Sequence, residues 1–370
     1  MTALVGAFGV LLIAILLWDA YETILLPRRL PGDIRVSRLV LRSLWKLWKG
    51  FGRGIRAGNR RELFLSFYAQ LSLIALFGVW AAGLIVGFAS LHWSLGSHLD
   101  APQGLAGFTA DLYMSGTTFF TLGLGDVVPM THLARALTVL EAGIGFGFLA
   151  LVIAYVPVLY QFFSRREARI TMLDEWGGSP PAAGLILKRA FESKDPGGAL
   201  DQLFRDWELV AAEILESHLS YPTLAFFRSQ HDNQSWLASL CAVLDASALA
   251  GSCVKGIDPF QSRLTFAICR HTLVDVSQVF RLGPREEVGA RSAPGRIVEM
   301  RAWLAGAGVA LEDDPAAMGR FEDLRRLYEP YLGALSEYLL MPLPGWLPPE
   351  RARYNWQTTV FSLSLHDGAS

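Results

Sequence analysis

Thr118-Phe-Phe-Thr-Leu-Gly-Leu-Gly-Asp126 decides how the rest of this 370-residue chain is read. The stretch lies between two long apolar segments. It holds two glycines one residue apart, a hydroxyl at Thr121 and a carboxylate at Asp126. Alternating glycines admit backbone conformations closed to other residues and turn successive carbonyls to one side. A ring of such carbonyls can replace the water shell of a cation. These residues lead us to expect a cation filter seated at membrane depth.

The flanks agree with that depth. Residues 64–91 form an apolar segment long enough to span a bilayer core, which needs ~20 such residues, and His92 and Trp93 mark its outer boundary. Residues 94–107, rich in Gly, Ser and Pro, read as an exposed turret. The next segment, 107–118, is too short to span and runs into the glycines rather than into a charged loop, so it is expected to be re-entrant. Non-helical backbone at membrane depth is tolerated only inside protein or along a water-filled cavity. A short helix ending near Thr118 would also turn its C-terminal partial negative charge toward a cation. Residues 133–163 supply a further spanning helix, with Gly143, Gly145 and Gly147 in its middle and Pro157 near its inner end. Glycines in such helices serve close packing or bending, and proline kinks a helix. These four residues are therefore candidates for a gating hinge.

Upstream, residues 3–18 are nearly continuous apolar sequence followed by Asp19 and Glu22. With no basic leader and no cleavage site, residues 1–27 are expected to form an extra transmembrane helix. Asp19 and Glu22, three apart, share a face of its inner end. They are either functional ionisable groups or partners of Arg28, Arg29 or the headgroup boundary. Residues 28–61 carry eleven lysines and arginines against one acid, Asp33, a charge of +10 in a chain whose total is −1. So basic a loop stays in the cytoplasm. The N-terminus is then outside, and the C-terminus, after Ser164-Arg-Arg, inside. Within the 28–62 region, residues 33–56 read as an amphipathic helix with a basic stripe from Arg35 to Arg56, suited to lie on anionic inner-leaflet lipid. A voltage sensor is the competing reading of the stripe, but only one spanning helix precedes it.

The ordered set Thr118, Thr121, Gly123, Leu124, Gly125 and Asp126, with its flanking helices, resembles the pore domain of the potassium-channel superfamily, in the bacterial two-transmembrane-type group. The resemblance covers residues 64–169 and implies a pore domain at 63–163. It implies ion sites formed by the carbonyls of Thr121, Leu122, Gly123 and Leu124 with the Thr121 hydroxyl, followed by Gly125. It further implies supporting roles for Thr117, Thr118, Asp126 and Glu141, the last either hydrogen-bonded behind the filter near Thr117 or packed against a polar neighbour, and a hinge at Gly145. Leu122 and Leu124 depart from the valine and tyrosine usual in the family; Phe119 and Phe120 are candidates to supply the missing bulk. One pore loop per chain, against a ring of about four, implies a homotetramer.

Residues 164–370 show helical periodicity at 180–218, 236–250, 261–280 and from Asp313 onward. The expected fold class is therefore an all-α membrane protein with an α-helical cytoplasmic domain. The three cysteines, Cys241, Cys253 and Cys269, have neither disulfide nor zinc spacing and read as buried thiols. No GxGxxG, Walker loop, HExxH or EF-hand is present, and we expect neither an enzyme nor a nucleic-acid partner. Ser229-Gln-His-Asp-Asn-Gln-Ser235 is the densest polar cluster. It reads as a solvated loop with a helix cap or as a site for an unknown cytoplasmic ligand, with His231 beside Asp232 as a candidate pH sensor. The function expected is passive potassium conduction gated at the inner helix by the cytoplasmic domain, with no cofactor beyond the permeant K+. The alternatives are a weakly selective monovalent cation channel or a non-conducting membrane-anchored sensor or scaffold.

Overall fold

Apolar periodicity and well-placed caps account for most of the helices in the computed structural model, which describes residues 2–26, 35–96, 99–101, 107–231, 233–285, 291 and 294–349. Arg28, Arg29 and Asp33 of the basic loop, and Asp232, lie outside them. The chain divides into two units, residues 1–160 and 161–370. It is an all-α membrane protein, and among the described residues three helices are long and apolar enough to cross a membrane: Thr2–Ile24, Asn59–Ser94 and His132–Gly177.

The first unit contains α1 (Thr2–Ile24), α2 (Val36–Gly54), α3 (Asn59–Ser94), α4 (Phe108–Phe119) and the start of α5 (His132–Gly177). Part of the turret pairs with the segment after Asp126. Leu99–Asp100 (β1) and Val128–Pro129 (β2) form a two-residue antiparallel ladder.

Helix association in lipid depends on close packing rather than on expulsion of water, and the α1–α3 seam shows it. A Cβ at Gly9 would fall 2.7 Å from the Gly87 carbonyl oxygen, and one at Gly83 would fall 2.4 Å from Leu16 Cδ1. A single apolar cluster then joins Leu16 and Ala20 of α1, Leu76, Trp80 and Leu84 of α3, and Phe119 of α4. Val36, Val40 and Leu41 of α2 and Ile144 and Phe148 of α5 pack against it.

The second unit takes α5 from residue 161 to Gly177, then α6 (Ala183–Phe191), α7 (Pro196–Ser220), a 3-10 turn (Pro222–Phe226), α8 (Trp236–Ser252), α9 (Pro259–Val279), α10 (Pro294–Gly306), α11 (Pro315–Arg326) and α12 (Glu329–Leu339). α8 is apolar all round and almost wholly buried, as a central helix must be. Its start is set by Ser235, whose side chain accepts from Ala238 N. Asp195, Asp258 and Asp314 cap α7, α9 and α11 in the same way, each with proline next.

Two periodic segments prove to be helix pairs. Residues 180–218 break at Asp195-Pro196, and the helix from Asp313 breaks at Tyr328, because Pro330 cannot donate to the preceding turn. Asp245, buried in α8, is matched by the Tyr328 hydroxyl at 2.6 Å and the Arg291 guanidinium at 2.5 Å. A carboxylate so deep requires such partners.

Candidate functional site

The stretch Thr118–Asp126 begins at the C-terminus of α4, and the way that helix stops sets its geometry. Thr121 is left-handed (φ 56°). Its N–H donates to Thr118 O at 3.0 Å, and Leu122 N–H donates to Thr117 O at 2.7 Å. This pair of bonds about a left-handed residue is the Schellman ending, which satisfies the last helical carbonyls. Glycine is the usual occupant. A threonine there gives up ~1–2 kcal/mol of backbone preference, which the two bonds help to offset.

Beyond it, Gly123 (φ 56°) and Gly125 (φ 77°) are left-handed too, so positive φ falls on every second residue from 121 to 125. Such alternation sends successive carbonyls to one edge of the strand and N–H groups to the other. Residues 120–126 are all exposed in the single chain, Leu122 by 62% and Leu124 by 64%.

Several groups brace this stretch. Tyr113 on α4 donates its hydroxyl to Asp126 Oδ2 at 2.8 Å, tying the far end of the strand back to the helix. Phe119 is buried, with its ring 5.7 Å from Phe148 of α5; Phe120 is exposed and meets Phe119 edge-on. Gly145 of α5 lies against the Phe119 carbonyl so closely that a Cβ would fall 2.2 Å from that oxygen. Gly143 and Gly147, by contrast, have nothing within 4 Å of a built Cβ. Pro157 sits inside the continuous helix α5.

Glu141 is fully buried and meets neighbours other than Thr117. Ser115 Oγ lies 3.4 Å and His92 Nε2 3.6 Å from its Oε2, while the Thr117 hydroxyl turns back to Met114 O. Near the α2 end of the unit, Asp19 is buried and accepts from Ser37 N, Ser37 Oγ and Trp80 Nε1. Glu22 pairs with Arg35 at 3.1 Å.

Sequence reasoning missed Tyr113, Ser115, Trp80 and Phe148, and it read His92 as a boundary ring where the structure buries it. Tyr113 had a readable signal, since it lies on the short helix within reach of the carboxylate that ends the stretch. The others pair across 26 residues or more and leave no local trace. In the second unit Ser235 serves as a helix cap and His231 is exposed. Among the described residues there is no cluster of three His, Cys, Asp or Glu that could hold a metal ion.

Residues 74–161 match the family described as ion channel. A relative among curated proteins, the uncharacterized membrane protein YdjJ of Bacillus subtilis (strain 168), is 26% identical over 216 residues. The alignment covers 55% of this chain and 58% of that protein, so less than two thirds of the relative is spanned. No solved structure matches the chain. The matched region takes in most of α3, all of α4 and its glycine stretch, and α5 as far as Gln161, and the apolar helix α1 precedes it.

Proposed function

Taking the ion-channel module at 74–161 as the starting point, we propose that the chain is one subunit of a homotetrameric, potassium-selective channel. The supporting observation is the alternation of left-handed residues at 121, 123 and 125 directly beyond the α4 terminus. Carbonyls of Thr121, Leu122, Gly123 and Leu124, with the Thr121 hydroxyl, would dehydrate K+ in a four-fold ring. One chain supplies one strand with an exposed edge, and four supply the ring. The C-terminal dipoles of four α4 helices would favour a cation at its inner end.

The N-terminus is assigned to the outside and residues 164–370 to the cytoplasm, by the basic loop before α3. Within α2, Ser37, Trp45 and Gly52 face inward, whereas Leu39, Leu47 and Phe51 are each at least 64% exposed; Lys46 and Arg53 are exposed too, and Arg38, Arg42 and Lys49 are half-buried. That composition suits an anionic inner leaflet. Gating is assigned to α5, which runs unbroken from the pore into the second unit, with the bend placed among Gly143, Gly145, Gly147 and Pro157.

A second reading, a weakly selective monovalent cation channel, is favoured by Leu122 and Leu124, whose side chains carry no hydrogen-bonding group to hold the strand at one diameter. Ion flux from purified protein in liposomes under K+ and then Na+ gradients separates the two. Potassium selectivity requires faster K+ flux, abolished by Gly123→Ala. Equal fluxes support the second reading, and a conducting Gly123→Ala protein refutes the filter assignment.

A further inference from the structure

Asp19 is 3% exposed near the end of α1, yet it spends three hydrogen bonds on two other helices. Oδ2 accepts from Ser37 N and from Trp80 Nε1, both at 2.8 Å, and Oδ1 accepts from Ser37 Oγ at 2.9 Å. Ser37 lies in the first turn of α2, whose own N-cap residue, Arg35, provides no side-chain cap. The cap of α2 therefore comes from α1, where the carboxylate also faces the positive end of the α2 dipole. Thr23 Oγ1 donates to Ser37 Oγ, and Glu22 holds Arg35, at the same junction.

From Asp19 the contacts run on to the filter. Trp80 is fully buried in α3. Its ring meets Phe148 of α5 edge-on at 6.3 Å, and Phe148 lies 5.7 Å from Phe119, whose carbonyl abuts Gly145 one residue before the α4 cap. The glycine seam already joins α1 to α3 without polar groups. A buried carboxylate adds little to such a seam, since apolar side chains there would do as well. What Asp19 adds is α2.

We propose that Asp19 is a positioning residue that couples an anionic lipid leaflet seated on α2 to the filter, through its bond to Trp80 and the Trp80–Phe148–Phe119 contacts. This rests on the lipid reading of α2. Lipid that draws the basic and exposed apolar faces of α2 into the leaflet shifts its first turn, and the shared carboxylate passes that shift to the indole.

The test uses the full-length protein in nanodiscs of phosphatidylcholine alone or with one third phosphatidylglycerol. Two quantities are read: amide hydrogen exchange at 37–40 in α2 and at 121–123, and K+ flux in matching liposomes. In the wild type, anionic lipid changes exchange at both segments, and flux, at least threefold. Trp80→Phe keeps an aromatic ring on α3 and leaves the α2 cap in place, but it lacks the indole N–H and half of the ring system that meets Phe148. Its 37–40 amides respond as in the wild type while the response at 121–123 and in flux is lost. Asp19→Asn, whose one oxygen can still accept from Ser37 N and Trp80 Nε1 although its NH2 cannot accept from Ser37 Oγ, stays within twofold of the wild type, and Asp19→Leu loses the filter response. If Trp80→Phe does not assemble, Ser37→Ala, which removes one bond to Oδ1, serves in its place and lowers the filter response. The proposal is overturned if Trp80→Phe retains the filter response, or if wild-type α2 responds while 121–123 does not. When neither segment responds in the wild type, the lipid reading of α2 has failed and the coupling falls with it. A response to inorganic phosphate in neutral lipid assigns α2 to a soluble anion and also overturns the proposal.

Discussion

Gly145→Ala distinguishes two roles for one residue by the sign of a stability change. As a hinge, Gly145 contributes flexibility, and alanine would strengthen α5 by up to ~1 kcal/mol of helix propensity. As a point of close approach it forbids any side chain. The new Cβ would sit 2.2 Å from Phe119 O, 2.9 Å from Phe119 C and 3.0 Å from Phe119 Cα. All three atoms are backbone, so no rotamer change relieves the overlap. Restoring a carbon–oxygen separation of ~3.3 Å requires the end of α4 to retreat by about 1 Å. Overpacking of this kind costs ~1–3 kcal/mol or more, and a rigid backbone target puts it at the upper end. Net of the propensity gain, we expect Gly145→Ala to lose about 2 kcal/mol, melt several degrees below wild type in detergent, and lose K+ flux. The carbonyls of Thr117 and Thr118, which hold Leu122 and Thr121, move with Phe119. Gly143→Ala and Gly147→Ala, with open space around them in the single chain, melt at or above wild type. A Gly145→Ala protein that also melts at or above wild type would refute the close-approach argument.

Two further predictions concern the second unit. His218 is buried, with Nδ1 2.8 Å from Ile214 O and Nε2 3.3 Å from the Arg166 guanidinium, which also donates to the Leu224 and Phe227 carbonyls and to Glu167. Burial first, and the Arg166 charge second, push its pKa well below 6.5. Below that pH the unfolded chain binds more protons than the folded one, so stability falls as pH drops from 6.5 toward 5, by up to ~1.4 kcal/mol per pH unit. His218→Gln should flatten denaturation midpoints across that window, and unchanged acid sensitivity would contradict the assignment. Cys241, Cys253 and Cys269 are buried, and burial raises each thiol above its ordinary range. Native protein at pH 7.5 should take up no maleimide and denatured protein three equivalents; labelling of any thiol in the folded state would show that its burial is wrong.

What the sequence made legible follows from how local each signal is. The glycine alternation, the long apolar runs of α1 and α3, and the shortness of α4 are written in consecutive residues and could be read directly. Gly145 was singled out through the family resemblance, as a hinge, but its contact with Phe119 O depends on two helices meeting. The partners of Glu141 illustrate the same limit. Thr117 is the nearer guess along the chain, yet Ser115 lies on the face of α4 turned toward α5. Asp19 and Glu22 drew attention as ionisable groups in an apolar helix, while Ser37, Trp80 and Arg35 are recognisable as partners only once α2 folds back on α1 and α3. In the second unit helix existence was legible, whereas the breaks at Pro196 and Pro330 were obscured by apolar periodicity that continues across them. The segment at 294–306 gave too weak a pattern to read.

Reversal potential under bi-ionic conditions tests the central claim most directly. Purified protein in a planar bilayer with K+ on one side and Na+ on the other should reverse well toward the K+ equilibrium potential, by ~59 mV for each tenfold preference. The Gly123→Ala protein should carry no such current. A reversal potential near zero would contradict potassium selectivity, and a wild-type current that persists unaltered in Gly123→Ala would contradict conduction through Thr121–Gly125.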